Sequence, residues 1–160
     1  MWRPCAFNGT RVHFRHRNRR GKLFYVVASN RNAPVNKKLV VCIEDEQEMI
    51  DLVRLILGRR GFEVEGANGG LEGLEKVQQK KPDLVLLDLM MPDMDGWEVY
   101  QRMKSDESLR EIPVIVITAK AQSIDKVLGL HIAKVDDYIT KPFGPQELLE
   151  SVEKLLARSE

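Results

Sequence analysis

The carboxylates Glu44, Asp45 and Asp88, the hydroxyl of Thr118 and the amine of Lys141 each stand at or just past the end of a short apolar run. Val40-Val41-Cys42-Ile43 leads into Glu44-Asp45, and Leu84-Val85-Leu86-Leu87 into Asp88. Val114-Ile115-Val116-Ile117 ends at Thr118, and Tyr138-Ile139-Thr140 ends at Lys141-Pro142. Carboxylates sharing one pocket resist full ionisation unless a cation lies between them. An all-oxygen set suits Mg²⁺, which takes one or two carboxylates and keeps places for water and phosphate oxygens. A carboxylate can also attack a phosphoryl group and become an aspartyl-phosphate. That transfer needs chiefly positioning and charge neutralisation. Lys141 offers a fixed positive charge, Thr118 a hydroxyl donor, and Ala119 is small enough to leave access.

Each residue alone has a plainer reading. Asp45 or Asp95 would be a helix cap or turn former, Thr118 a β-branched strand residue, Lys141 solvated surface and Pro142 a loop marker. What favours the chemistry is their joint placement. Short branched apolar runs without polar alternation are strands buried on both faces, as in a parallel sheet. All carboxyl ends of such a sheet share one edge, so distant residues meet there.

The elements between them follow that scheme. A first strand over 39–43 precedes a helix from Gln47 to Arg59 with Ile50, Val53 and Leu57 on one face. Gly61 stops it, and Phe62–Glu65 is a second strand. A helix over 69–80 carries Leu71, Leu74 and Val77 and ends before Pro82. The third strand is 83–87, followed by a loop with Pro92 and Asp95-Gly96 and a helix from Trp97 to Ser105. The fourth strand follows Pro113, and Ser123 caps a helix over 124–133. A fifth strand over 136–140 precedes a last helix that starts at Pro145, a favoured first position. Five strand–helix repeats predict a doubly wound α/β sheet with right-handed crossovers, which binds ligands beyond its strands' carboxyl ends.

The 160 residues allow one domain and an extension, and no apolar stretch reaches the length of a membrane span. The basic N-terminus lacks the apolar segment of a secretory signal, and the two cysteines make no disulfide framework. A cytoplasmic location is expected. The net charge of +1 conceals a division: residues 1–36 hold eight Arg or Lys and no acid, while residues 37–160 hold 17 basic against 24 acidic. The latter piece is thus −7, and two units meet near Val35.

Residues 39–158 resemble the receiver domain of bacterial two-component response regulators. The resemblance rests on Glu44-Asp45-Glu46, on Asp88-Leu89-Met90-Met91-Pro92-Asp93-Met94-Asp95-Gly96, on Thr118-Ala119 and on Asp136-Asp137-Tyr138-Ile139-Thr140-Lys141-Pro142-Phe143. It implies a flavodoxin-like sheet of order 2-1-3-4-5 in a chemotaxis-regulator-like single domain. It makes Asp88 the phosphoacceptor, with Glu44, Asp45 and the Met90 carbonyl joining it at Mg²⁺. Glu44 stands where the family often has Asp. Thr118 and Tyr138 become the switch pair, Lys141 the phosphate-sensing base, and Lys141–Pro142 a cis bond. The partners implied are a sensor histidine kinase or phosphotransfer protein and a downstream target. The signal leaves through the face of the fourth helix, fifth strand and last helix. The protein is a phosphoacceptor that assists its own phosphorylation and dephosphorylation, not a turnover enzyme.

Further expectations follow from particular positions. Met90 cannot orient a water by strong hydrogen bonding and Lys120 is long enough to shield the site, which together predict slow self-dephosphorylation. Ser151 stands one turn after Glu147 where a dimerising branch of the family has a basic residue, so that dimer is not expected. Nothing beyond Arg158-Ser159-Glu160 follows the last helix, which predicts a stand-alone regulator. The segment 1–36 reads as a poorly ordered basic extension or a misplaced gene start, although Leu23–Val27 could form a strand. Arg15-His16-Arg17-Asn18-Arg19-Arg20 with Phe14, Phe24 and Tyr25 gives the rival reading of nucleic-acid binding, the less favoured one. The other rival, a phosphorylation-independent interaction module, predicts loss of site residues, and none is lost. Phosphatases with a nucleophilic Asp carry a second Asp two residues on, where this chain has Met90.

Overall fold

The structure, a computed structural model, describes residues 3–8, 11–17, 23–29, 37–119 and 135–158. The chain divides into two compact units, Met1–Asn36 and Lys37–Glu160.

The first unit holds β1 (Arg3–Asn8), β2 (Arg11–Arg17) and β3 (Leu23–Ser29) in an antiparallel sheet of that order. Val12 and Phe14 of β2 and the run Leu23–Val27 of β3 are residue types that favour extended backbone. Phe14 pairs with Val26 and Val12 with Ala28 in the β2–β3 register. The strand anticipated over Leu23–Val27 lies within β3. Pro4, which has no N–H to donate, sits in an outer strand beside a register irregularity, where proline is tolerated.

The second unit runs β4 (Leu39–Ile43), α1 (Gln47–Gly58), β5 (Glu63–Ala67), α2 (Gly70–Lys80), β6 (Leu84–Asp88), α3 (Gly96–Ser105), β7 (Val114–Thr118), β8 (Asp137–Thr140) and α4 (Pro145–Leu156). Its parallel sheet has the order β5-β4-β6-β7-β8, which is the flavodoxin-like order 2-1-3-4-5 counted within the unit. The helix expected over 124–133 lies outside the described residues, as do its cap Ser123 and Lys120. Among the described residues no helix is long and apolar enough to cross a membrane.

Alternate strand residues feed two cores, as the two-residue period of a strand requires. Val40, Cys42, Leu84, Leu86, Ile115 and Ile117 pack with Ile50, Val53 and Leu57 of α1 and Leu148, Val152 and Leu155 of α4. Val41, Ile43, Val85, Leu87 and Val114 pack on the other side with Leu74 and Val77 of α2 and Val99, Tyr100 and Met103 of α3. Each fully buried side chain of this kind contributes about 1.5–3 kcal/mol. One expected core residue falls outside this scheme. Leu71 is 54% exposed, and Gly70 and Gly73 take the buried face of α2 instead. Gly73 packs where a Cβ would meet Ile43, so α2 comes closer to the sheet than a leucine there would allow.

Carboxylates hold the amino edge of the sheet. The Leu39 N–H donates to Asp83 Oδ2 at 2.7 Å while the Asp83 N–H donates to the Leu39 carbonyl at 2.9 Å. At β7 the Val114 N–H donates to Asp136 Oδ2 at 2.9 Å. These bonds replace ladder partners that the first residue of a strand lacks.

Candidate functional site

Strand register alone brings the reactive residues to one edge. Ile43 pairs with Leu87, so Glu44 and Asp88 follow side by side. Asp88 pairs with Ile117, and Thr118 pairs with Thr140, which places Lys141 one step beyond. Asp88 closes β6, the central strand, and is buried together with Glu44 and Thr118.

Ligand oxygens of Glu44, Asp45 and Asp88 lie within 4.8 Å of one another, with Asp45 on the exposed side. The Lys141 ammonium donates to Glu44 Oε2 at 2.6 Å and to Asp88 Oδ2 at 2.8 Å. The other Asp88 oxygen, Oδ1, accepts from the Met90 N–H at 3.0 Å. Both oxygens of Asp88 are therefore held, which fixes the carboxylate plane. Glu44 Oε1 accepts from the Glu46 N–H at 3.3 Å.

Burial raises the Glu44 pKa, the Lys141 hydrogen bond opposes the rise and the Asp88 charge adds to it, leaving Glu44 at about 7. Burial alone would lower the pKa of Lys141. Its hydrogen bonds to Asp88 and Glu44 and their charges outweigh that, and the ammonium is held above its ordinary range. Among the described residues the pocket thus has more negative charge than Lys141 balances comfortably. An all-oxygen acidic cluster open on the Asp45 side fits a divalent ion.

Thr118 Oγ1 is buried and has no hydrogen-bond partner among the described residues. Such an atom costs about 1–3 kcal/mol relative to a satisfied one. Its backbone is engaged, since the Lys141 N–H donates to the Thr118 carbonyl at 2.8 Å. The Lys141–Pro142 bond is cis, as expected. Tyr138, two residues before Thr140 on β8, is 52% exposed, and the Met90 side chain is 59% exposed. Glu44, Asp45, Asp88 and Lys141 are thus gathered at once, while Thr118 stands at the adjacent strand end and Tyr138 turns outward.

The roles of two residues escaped the sequence reading. Gly96 lies under the site: a Cβ there would run into the Asp88 carbonyl oxygen, and its N–H donates to the Leu89 carbonyl at 3.1 Å. Only glycine lets α3 begin so close behind the end of β6. Asp95 caps α3 by accepting from the Glu98 N–H at 2.8 Å, the role its position suggested. The second, Asp93, bonds to a different helix altogether. Its Oδ1 and Oδ2 accept from the Gly70 and Leu71 N–H groups of α2, each at 3.1 Å. Capping signals are sought within a few residues, and this one spans more than twenty.

Residues 40–153 match the family model described as "Response regulator receiver domain". Over 126 residues the chain is 41% identical to the alkaline phosphatase synthesis transcriptional regulatory protein PhoP of Bacillus subtilis (79% of this chain, 51% of the relative). It therefore spans about half the length of that curated relative. Among solved structures, the signal receiver domain of a histidine kinase from Syntrophus aciditrophicus aligns with a TM-score of 0.71 at 31% identity. That alignment covers 77% of this chain and 92% of the other. The response regulator TrrA of Thermotoga maritima, solved in complex with Mg(2+)-BeF, aligns with a TM-score of 0.67 at 30% identity, covering 74% and 98%. With the strand order, the acidic cluster and the bonded lysine all in place, the chain belongs to the response regulator receiver domain family.

Proposed function

We propose that this protein accepts a phosphoryl group on Asp88 from a sensor histidine kinase or phosphotransfer protein and relays the signal to a downstream target. The observation that carries the reading is the Asp88 carboxylate itself: buried, held at both oxygens, and beside Glu44, Asp45 and the Lys141 ammonium. An Asp88 oxygen attacks the phosphorus of a phosphohistidine, the P–N bond breaks, and the imidazole leaves with the electron pair. Glu44, Asp45, Asp88 and the Met90 carbonyl would hold Mg²⁺, which when bound offsets charge on the phosphoryl oxygens. Lys141 is near enough to Asp88 to bond a transferred oxygen. The relative solved with Mg(2+)-BeF supports the choice of ion.

The Thr118 hydroxyl, without a partner among the described residues, is a donor for the same group. Its movement toward the phosphate gives Tyr138 room to turn inward, which changes the face built on β8 and α4. The phosphate shifts that equilibrium only through its different interaction with the two states. The protein assists its own phosphorylation and hydrolysis but is not a turnover enzyme, and it acts in the bacterial cytoplasm. Met90 offers an attacking water no strong hydrogen bond, so the phosphate persists for minutes or longer in Mg²⁺ buffer. A half-life of seconds contradicts that lifetime.

Labelling with acetyl phosphate tests the central reading. Wild-type protein is expected to take up acid-labile, hydroxylamine-sensitive phosphate only with Mg²⁺ present, and Asp88→Ala none. Labelling that persists in Asp88→Ala overturns the assignment.

A further inference from the structure

The loop between β6 and α3 carries the Met90 carbonyl, and three features fix it. Met91 and Met94 are buried in the core shared with α2 and α3. Between them Asp93 spans to the first turn of α2 with both carboxylate oxygens, on the Gly70 and Leu71 N–H groups. The facing backbone is shaped for this contact. Gly69 has φ +114°, a conformation that favours glycine, and a Cβ on it would lie 2.8 Å from the Asp93 carboxylate oxygens. A Cβ on Gly70 would lie 2.6 Å from the Met94 carbonyl. The first N–H groups of a helix have no partner inside it, and a carboxylate there is favoured by the helix dipole as well. Backbone N–H groups, that of Leu71 foremost and Met94 next, hold the Asp93 carboxyl below its ordinary range.

Resting on the phosphoacceptor reading above, we infer that Asp93 is a positioning residue for the metal-dependent step: by latching the Met90–Asp95 loop to α2 it sets where the Met90 carbonyl meets the ion. Asp93 touches neither the acceptor nor the cation cluster. Its effect passes through loop placement. Glu72 makes a natural control, because it accepts from the Asn68 N–H at 2.9 Å and so secures the same helix start without touching the loop.

The test compares wild type, Asp93→Ala, Asp93→Asn and Glu72→Ala. In ion-free protein, hydrogen exchange of the Met90–Asp95 amides is expected to speed up in Asp93→Ala and to stay at the wild-type rate in Glu72→Ala. By titration calorimetry, Asp93→Ala is expected to weaken Mg²⁺ binding about tenfold, as losing a support behind a ligand usually does. Asp93→Asn, which keeps one acceptor oxygen, recovers part of that. Acetyl phosphate labelling of Asp93→Ala needs more Mg²⁺ for its half-maximal rate and returns to the wild-type rate at saturation. Unchanged loop exchange and Mg²⁺ affinity in Asp93→Ala, or equal changes in Glu72→Ala, overturn the inference while leaving the acceptor intact. A wild-type protein that neither binds Mg²⁺ nor labels overturns the acceptor reading first, and this role with it.

Discussion

Lys141 stands as close to Glu44 as to Asp88: 2.6 Å from Glu44 Oε2 and 2.8 Å from Asp88 Oδ2, bridging residues that are 97 and 53 positions away in the chain. Without another cation, one ammonium is shared by two buried carboxyls. A phosphoryl group that draws Lys141 toward itself must leave Glu44 to another positive charge, which ties the lysine's role to the ion's.

The first expected outcome concerns pH. Glu44 moves from 4.5 to about 7 on folding without metal. Between those values the folded protein keeps a proton that the unfolded chain has lost, so this group's contribution makes stability fall as pH rises through the window. Mg²⁺ prefers the ionised form, so its apparent affinity rises with pH through about 7. Denaturation of wild type and Glu44→Gln at pH 5 and pH 8, with and without Mg²⁺, isolates this contribution. An equal pH slope in both metal-free proteins contradicts it.

Thr118→Val should separate stability from signalling. The change removes a buried hydroxyl with no partner among the described residues and keeps the side chain's shape. The melting temperature is expected to rise, with a gain of about 1 kcal/mol. The same variant should still take up phosphate on Asp88 but lose the phosphate-dependent shift of Tyr138, read as a change in tyrosine NMR signals on phosphorylation. A less stable protein, or one whose Tyr138 signals still shift, counts against the assignment.

Gly96→Ala should cost about 1–3 kcal/mol, because the new Cβ meets backbone atoms that cannot rotate away. A drop in the urea midpoint at unchanged slope is the expected measurement. A loss under about 0.5 kcal/mol would mean that α3 shifts freely, contrary to its tight seat behind Asp88.

A protein beginning at Lys37 is expected to keep the parallel sheet and to label with acetyl phosphate within about twofold of the full chain, since Lys37–Glu160 is a compact unit with core clusters of its own. Slower labelling would show that residues 1–36 contribute to the site. DNA binding that weakens steeply with salt and disappears in the shortened protein would favour the nucleic-acid reading of the basic segment.

Much of the site was legible because strands buried on both faces leave an unmistakable mark: Val40–Ile43, Leu84–Leu87 and Val114–Ile117 are unbroken apolar runs, and their ends can be read directly. Helix faces were less readable. Leu71 matched the helical spacing yet faces solvent, while Gly73, which has no side chain to register as apolar, is buried against Ile43. Asp93 was hidden because its helix precedes it by more than twenty residues, and local capping rules look forward. In the N-terminal segment the unbroken run of β3 could be read as a strand, whereas β2 sets Val12 and Phe14 among basic residues and was not legible.

The paired Leu39–Asp83 bonds and the Val114–Asp136 bond leave the far rim of the sheet stapled by acids that hold strand-end amides while also facing Lys38 and Lys104. Each bond fixes the register at the start of a strand pair, β4 with β6 and β7 with β8. A change at the opposite rim is then expected to move side chains and loops rather than strand register.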